Sequence, residues 1–126
     1  MKLMRKSLLG PAAALLLVAG VGAACGGGSA QPSGSIKVTM TEFKFDHSDI
    51  EAKAGKVTFF LVNSGSAQHD MVIEDTGGKV VAKSDLISAG DSGVFTVNDL
   101  SAGSYTFICY VPGHKEAGMT GTLTVS

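Results

Sequence analysis

Apolar and polar residues alternate over short segments from residue 36 to the end of the chain. Alternation or β-branched and aromatic composition marks residues 36–40, 57–62, 71–73, 80–81, 94–97, 105–108 and 122–125. Such runs predict β-strands, and the Gly-rich clusters between them predict turns. Helical periodicity never extends over ten residues, although residues 83–87 have room for one helical turn. The pattern predicts an all-β domain, an antiparallel β-sandwich of about seven to eight strands.

The strand at residues 105–108 leads directly into a group of chemically distinctive side chains. With a period of two, Tyr105, Phe107 and Cys109 share one face of that strand. If the two aromatic residues face the core, Cys109 lies at the edge of the core where the strand ends. Pro112-Gly113 then predicts a bend that turns His114 back toward Cys109.

Four residues separate Cys109 from His114, and four more separate His114 from Met119, while His69 lies 40 residues before Cys109. Two imidazoles, a thiolate and a weakly bound thioether are the ligand set of a blue-copper electron-transfer site. Taken singly, each residue is ordinary: a buried thiol, two surface histidines and a core methionine. Their combination predicts a metal site at His69, Cys109, His114 and Met119.

The first 24 residues differ from the rest of the chain. Lys2, Arg5 and Lys6 precede an apolar run at residues 8–21, and small residues follow at 22–24. This arrangement predicts an export signal, with a retained anchor helix as the alternative if the run reaches the ~20 residues that a membrane span requires.

Residues 22–25, Gly-Ala-Ala-Cys, resemble the lipobox of bacterial lipoproteins, in which the Cys is acylated after cleavage, although Gly22 stands where Leu is usual. The Gly- and Ser-rich residues that follow are typical of a flexible tether. The predicted organisation is a signal peptide (1–24), a lipidated Cys25 with its tether (25–34) and a folded domain (35–126). We therefore expect the protein outside the cytoplasm, anchored by lipid to the outer face of the cell membrane or in the periplasm. Ordinary secretion is the alternative.

Charge narrows the choice of partners. The whole chain carries 10 Lys and Arg against 11 Asp and Glu, and loss of Lys2, Arg5 and Lys6 with the signal leaves 7 against 11, a net charge of −4. No basic stripe remains to meet phosphates, which disfavours nucleic acid as a partner. A basic or neutral protein partner is favoured instead.

The chain resembles the cupredoxins, the small type 1 blue-copper proteins, in four features. These are the segment around His69, the strand ending at Cys109, and the motifs Pro112-Gly113-His114 and Gly118-Met119. The likeness covers about residues 36–126, and the loop spacing is similar to that of the auracyanins and rusticyanin. It implies a Greek-key β-sandwich with one copper ion, which His69, Cys109 and His114 bind strongly and Met119 binds weakly as the axial ligand. It also implies that Asp70, where the family usually has Asn or Ser, braces the two ligand loops.

The resemblance further implies a function in one-electron transfer rather than an enzymatic one. The ring edge of His114 would reach the surface beside Val111, Pro112, Ala117 and Gly118, where transient redox partners dock on a monomer. An exported copper carrier or storage protein is the alternative, since the same ligands would serve it.

Other interpretations of these residues are weaker. A Cys25–Cys109 disulfide is the simplest pairing for an exported protein, but it would tie the tether to the ligand loop. A Cys–His nucleophile lacks an evident oxyanion device or orienting group. Zinc competes by affinity, but gains little from a thioether. We expect His47 to be a surface turn residue, and Lys115 and Glu116 to be solvated charges.

Overall fold

The computed structural model describes residues 29–126, which form two β-sheets packed face to face. The nine strands of this part of the chain are β1 (Ile36–Thr41), β2 (Lys44–Phe45), β3 (Asp49–Ala52), β4 (Gly55–Asn63), β5 (Val72–Glu74), β6 (Val80–Lys83), β7 (Ser92–Leu100), β8 (Gly103–Ile108) and β9 (Thr120–Val125). One sheet has the order β2-β1-β4-β7 and the other the order β3-β9-β8-β5-β6.

Alternation along the strands fills the space between the two sheets. In β4, Val57, Phe59 and Leu61 point into the core, whereas the neighbouring Phe60 is buried outside that cluster. Phe45 of β2 packs edge-on against Phe107 of β8, with ring centroids 5.0 Å apart. Aromatic edge contacts of this kind add to the stabilisation from burial. The core therefore continues from β4 to the end of β8, where Cys109 lies.

The predicted β-sandwich is confirmed, and all seven predicted strands are present. The structure adds two short strands, β2 and β3. Each has a single buried side chain, Phe45 and Ile50 respectively, and so neither forms an apolar or β-branched run in the sequence. Two neighbouring pairs, β1–β4 and β3–β9, are parallel rather than antiparallel. Parallel neighbours require a crossover connection, a feature that the alternation within one strand does not report.

The helical turn considered for residues 83–87 is wrong. β6 extends to Lys83, and Ile87 forms an antiparallel bridge with His69. Two backbone hydrogen bonds make this bridge, at 3.1 Å and 2.8 Å. Pairing with a distant segment thus outweighs the local helical tendency.

The predicted signal peptide, Cys25 and the start of the tether lie outside the described residues. Within residues 29–126, no helix is long and apolar enough to cross a membrane.

Candidate metal centre

Cys109 follows the last residue of β8 and is fully buried. Its position agrees with the strand alternation, because Phe107, two residues earlier, is also fully buried in the same cluster. The backbone N–H of Cys109 donates to the carbonyl of Met119 at 3.1 Å. The two ends of the predicted ligand loop are therefore tied together by a main-chain hydrogen bond.

The bend predicted at Pro112-Gly113 is a tight turn. The N–H of His114 donates to the carbonyl of Val111 at 3.0 Å, and Gly113 has a φ of 86°. Proline at the second position and glycine with positive φ at the third are the signature of a type II turn. A second hydrogen bond, from the N–H of Met119 to the carbonyl of His114 at 3.1 Å, closes the rest of the loop. The turn brings Nδ1 of His114 to 3.4 Å from Sγ of Cys109.

His69 reaches the same point from another part of the chain. Its bridge to Ile87 holds its backbone, and its side chain is fully buried. Asn63 supports the preceding loop: its amide Nδ2 donates to the carbonyls of Ala67 and Ile87, both at 2.8 Å, and its Oδ1 accepts from the N–H of Gly65 at 2.9 Å. One buried amide thus connects the loop before His69 with the segment that pairs with it.

The three side chains converge through their potential ligand atoms. The Nδ1 atoms of His69 and His114 are 3.1 Å apart, and the Sγ of Cys109 lies 3.4 Å from Nδ1 of His114 and 3.9 Å from Nδ1 of His69. All three atoms lie within 4.8 Å of one another. His114 is 6% exposed and the other two are fully buried. Two nitrogens and one sulfur around a single buried point form a candidate metal centre.

The protonation chemistry of the cluster suits a cation. Burial lowers the pKa of His69, which favours the neutral imidazole that binds metals. Burial also raises the pKa of the Cys109 thiol, so a nearby positive charge is required to hold the thiolate. A soft thiolate with two imidazoles is a donor set that fits copper.

Met119 is fully buried in the same apolar cluster as Cys109. The thioether is therefore on the core side of the loop, and the backbone of Met119 is hydrogen-bonded to that of Cys109 and to that of His114.

Asp70 lies beside the cluster and is 2% exposed. Its Oδ1 accepts a hydrogen bond from the backbone N–H of Tyr110 at 2.7 Å. The residue after His69 is thereby linked to the residue after Cys109. The connection joins the two segments that carry these side chains.

Sequence reasoning missed two residues that touch the cluster. Glu42, in the turn between β1 and β2, accepts from Nε2 of His69 at 3.3 Å. The exposed ring of Phe43 packs edge-on against His114, with centroids 4.9 Å apart. Neither carries a motif, and the only local signal is an acidic and an aromatic residue in a turn between two strands.

The remaining candidates are exposed side chains. His47 is exposed and its Nε2 is 3.7 Å from the carboxylate of Asp46, in agreement with a surface residue. Lys115 and Glu116 are exposed.

Comparison with known proteins agrees with a copper-binding function for this cluster. A family model described as "Cupredoxin-like domain" matches residues 12–125. The copper-resistant cuproprotein CopI of Rubrivivax gelatinosus is 30% identical over 116 residues, which cover 79% of this chain and 70% of that protein. Auracyanin-A of Chloroflexus aurantiacus is 29% identical over 90% of this chain and 94% of its own length.

Solved structures agree with the fold. An auracyanin B structure superposes with a TM-score of 0.69 at 24% identity, covering 78% of this chain and 92% of that one. A dithionite-reduced auracyanin from Roseiflexus castenholzii gives a TM-score of 0.67 at 22% identity, covering 76% of this chain and 99% of that one.

Proposed function

The chain belongs to the cupredoxin-like family, and we propose that it is an exported type 1 blue-copper protein that carries one electron at a time between redox partners. The observation that supports this most directly is the buried convergence of His69, Cys109 and His114 through two Nδ1 atoms and one Sγ. Copper is the cofactor that fits this donor set and fold. As an electron carrier, the protein would convert no substrate of its own.

We assign His69, Cys109 and His114 as the strong ligands and Met119 as the weak axial ligand. The thiolate and thioether suit Cu(I), the imidazoles suit Cu(II), and copper bound here would supply the one-electron couple between the two states. The role of the protein itself is to hold these four side chains in a fixed arrangement. The N–H of Cys109 donates to the carbonyl of Met119, and the N–H of Met119 donates to the carbonyl of His114. These bonds close the loop, and burial keeps water away.

The route for electrons is assigned to the His114 side of the molecule. The imidazole of His114 is 6% exposed, and the exposed ring of Phe43 packs edge-on against it. Val111 and Pro112 precede His114 in the same loop and add further apolar surface. A small apolar surface of this kind suits brief encounters between redox proteins, which bury little area. We infer a monomer that meets basic or neutral partners, in keeping with the charge of −4 expected for the mature chain.

We further propose that the protein works outside the cytoplasm and is anchored through acylated Cys25. The support is the sequence of residues 1–34 alone. Mass spectrometry of the mature N-terminus tests this directly, with Cys25→Ala as the matched variant. A mature chain that begins elsewhere, or a Cys25 without added lipid mass, would rule the anchor out.

The central experiment is addition of Cu(II) to the purified protein, followed by visible and EPR spectroscopy. We expect an intense thiolate-to-copper band and a narrow copper hyperfine splitting, together with reversible reduction in voltammetry. Cys109→Ser should abolish the band, because an alkoxide or hydroxyl does not give this charge transfer. A wild-type protein without the band, or a Cys109→Ser protein that keeps it, contradicts the proposal.

A copper carrier that delivers the ion to another protein is the second candidate, favoured by the likeness to the copper-resistant cuproprotein CopI of Rubrivivax gelatinosus. The complete burial of Cys109 and His69 argues for retention of the ion, since release would require the loop to open. Incubation of the copper-loaded protein with an apo acceptor distinguishes the two. Rapid transfer of the ion supports delivery, and electron exchange with the ion retained supports the redox function.

A further inference from the structure

Glu42 makes contacts with the metal centre that the ligand motif does not explain. It lies in the two-residue turn between β1 and β2 and is at least 27 residues away in the sequence from every candidate ligand. Its Oε1 accepts from the N–H of Ser66 at 2.6 Å, from the N–H of Ala67 at 2.7 Å and from Nε2 of His69 at 3.3 Å. One carboxylate oxygen therefore connects the loop before His69 with the ring of His69 itself.

The nitrogen that Glu42 contacts is the one that faces away from the cluster. Nδ1 of His69 points toward His114 and Cys109, whereas Nε2 points toward the carboxylate. A neutral imidazole has a single N–H, and a carboxylate can only accept. Donation of Nε2–H to Glu42 leaves the lone pair of Nδ1 directed at the point where the three ligand atoms meet.

The surrounding loop is shaped to hold the carboxylate. A Cβ added to Gly65 would lie 2.4 Å from Oε1 and 2.9 Å from Oε2 of Glu42, so only glycine permits this approach. Two backbone N–H groups then fix the position of the oxygen. The side chain is 34% exposed, so its charge is partly hydrated while Oε1 faces inward.

We propose that Glu42 is a positioning residue of the metal centre, which fixes the tautomer and orientation of His69 and places a negative charge behind its ring. This inference rests on the proposed function, because its redox consequence requires copper at the centre. A negative charge transmitted through the imidazole stabilises Cu(II) relative to Cu(I) and lowers the reduction potential. The carboxylate also makes His69 a more basic ligand.

Two substitutions separate the charge from the hydrogen bond. Glu42→Gln keeps an oxygen acceptor but removes the charge, so the tautomer should remain and the midpoint potential should rise. Glu42→Ala removes both, so His69 should lose its uniform Nε2–H tautomer, and copper affinity should fall about 10–100-fold, as for other residues that orient metal ligands. Glu51→Gln, on the exposed face of β3, is the control for loss of one negative charge elsewhere.

The tautomer is measured on the copper-free protein by NMR of ¹⁵N-labelled histidine, and the potential on the copper-loaded protein by voltammetry. The inference is supported if Glu42→Ala changes the His69 tautomer and Glu42→Gln raises the potential more than Glu51→Gln does. It is overturned if the Glu42 variants lose only thermal stability, with tautomer and potential equal to those of the control. If the wild type shows no blue band, the redox proposal fails, while the copper-free NMR result still decides whether Glu42 orients His69.

Discussion

The buried amide of Asn63 provides the sharpest test of how the fold supports the centre. Asn63→Asp preserves the shape of the side chain and the Oδ1 that accepts from Gly65. It replaces the amide nitrogen, which donates to the carbonyls of Ala67 and Ile87 at 2.8 Å, with an oxygen that can donate to neither when ionised. Asn63 is only 1% exposed, so water does not readily replace the lost donors.

The expected loss of stability follows from these two bonds. The carbonyl of Ala67 loses this donor, and the carbonyl of Ile87 keeps only the N–H of His69. Each lost hydrogen bond contributes about 0.5–1.5 kcal/mol, so the free energy of unfolding of the copper-free protein should fall by about 1–3 kcal/mol. For a domain of this size, that corresponds to a decrease in Tm on the order of 5–20 °C. Ala67 lies two residues before His69, and Ile87 pairs with it. The visible band of the copper-loaded variant should therefore weaken as well.

Urea unfolding of the copper-free protein, followed by circular dichroism, measures the first quantity. Asn98→Asp is the matched control, since Asn98 is exposed on β7 and the same chemical change there should remain within about 0.5 kcal/mol of wild type. If Asn63→Asp is as stable as Asn98→Asp, the amide does not hold the loop and the reasoning is refuted.

Three further substitutions test other parts of the structure. Asp70→Asn keeps the oxygen that accepts from Tyr110 but removes a charge near the centre, so voltammetry should show a higher midpoint potential, and an unchanged or lower one would contradict this. Met119→Leu should keep the blue colour in visible spectra and raise the potential, because a weak donor to Cu(II) is lost; a colourless variant would argue that the thioether is essential for the site. Gly121→Ala should lower the unfolding free energy by about 1–3 kcal/mol in urea titrations, since its Cβ would lie 2.1 Å from the ring of Phe107 in a filled core; full stability would show that the ring can move aside.

Much of the fold was predictable because its signals are local. Alternation, or β-branched and aromatic composition, over two to six residues marks a strand without reference to its partner, and seven of the strands were found in this way. The same holds for the bend before His114: proline and glycine in succession predict a type II turn from their own backbone preferences. The shared face of Phe107 and Cys109 follows from the period of two.

The parts that were missed depend on contacts between distant segments. Three of these contacts join residues that are far apart in the sequence. They are the parallel pairing of β1 with β4, the bridge between His69 and Ile87, and the edge contact of Phe43 with His114. The same is true of Glu42, which is an ordinary acidic turn residue until the sandwich closes and brings it to the ring of His69.

The donor types and the spacing of the candidate site could thus be predicted from the segment between Cys109 and Met119, because that segment contains its own turn and its own hydrogen bonds. His69 lies 40 residues before Cys109 in the sequence, and the packing of the two sheets brings it to the cluster. The same packing brings the groups that contact its ring. Local preferences depend on neighbours in sequence, whereas a centre built from several strands depends on which surfaces are buried together. For that reason the chain alone indicated the chemistry of the centre, and only the tertiary structure revealed how its first histidine is held.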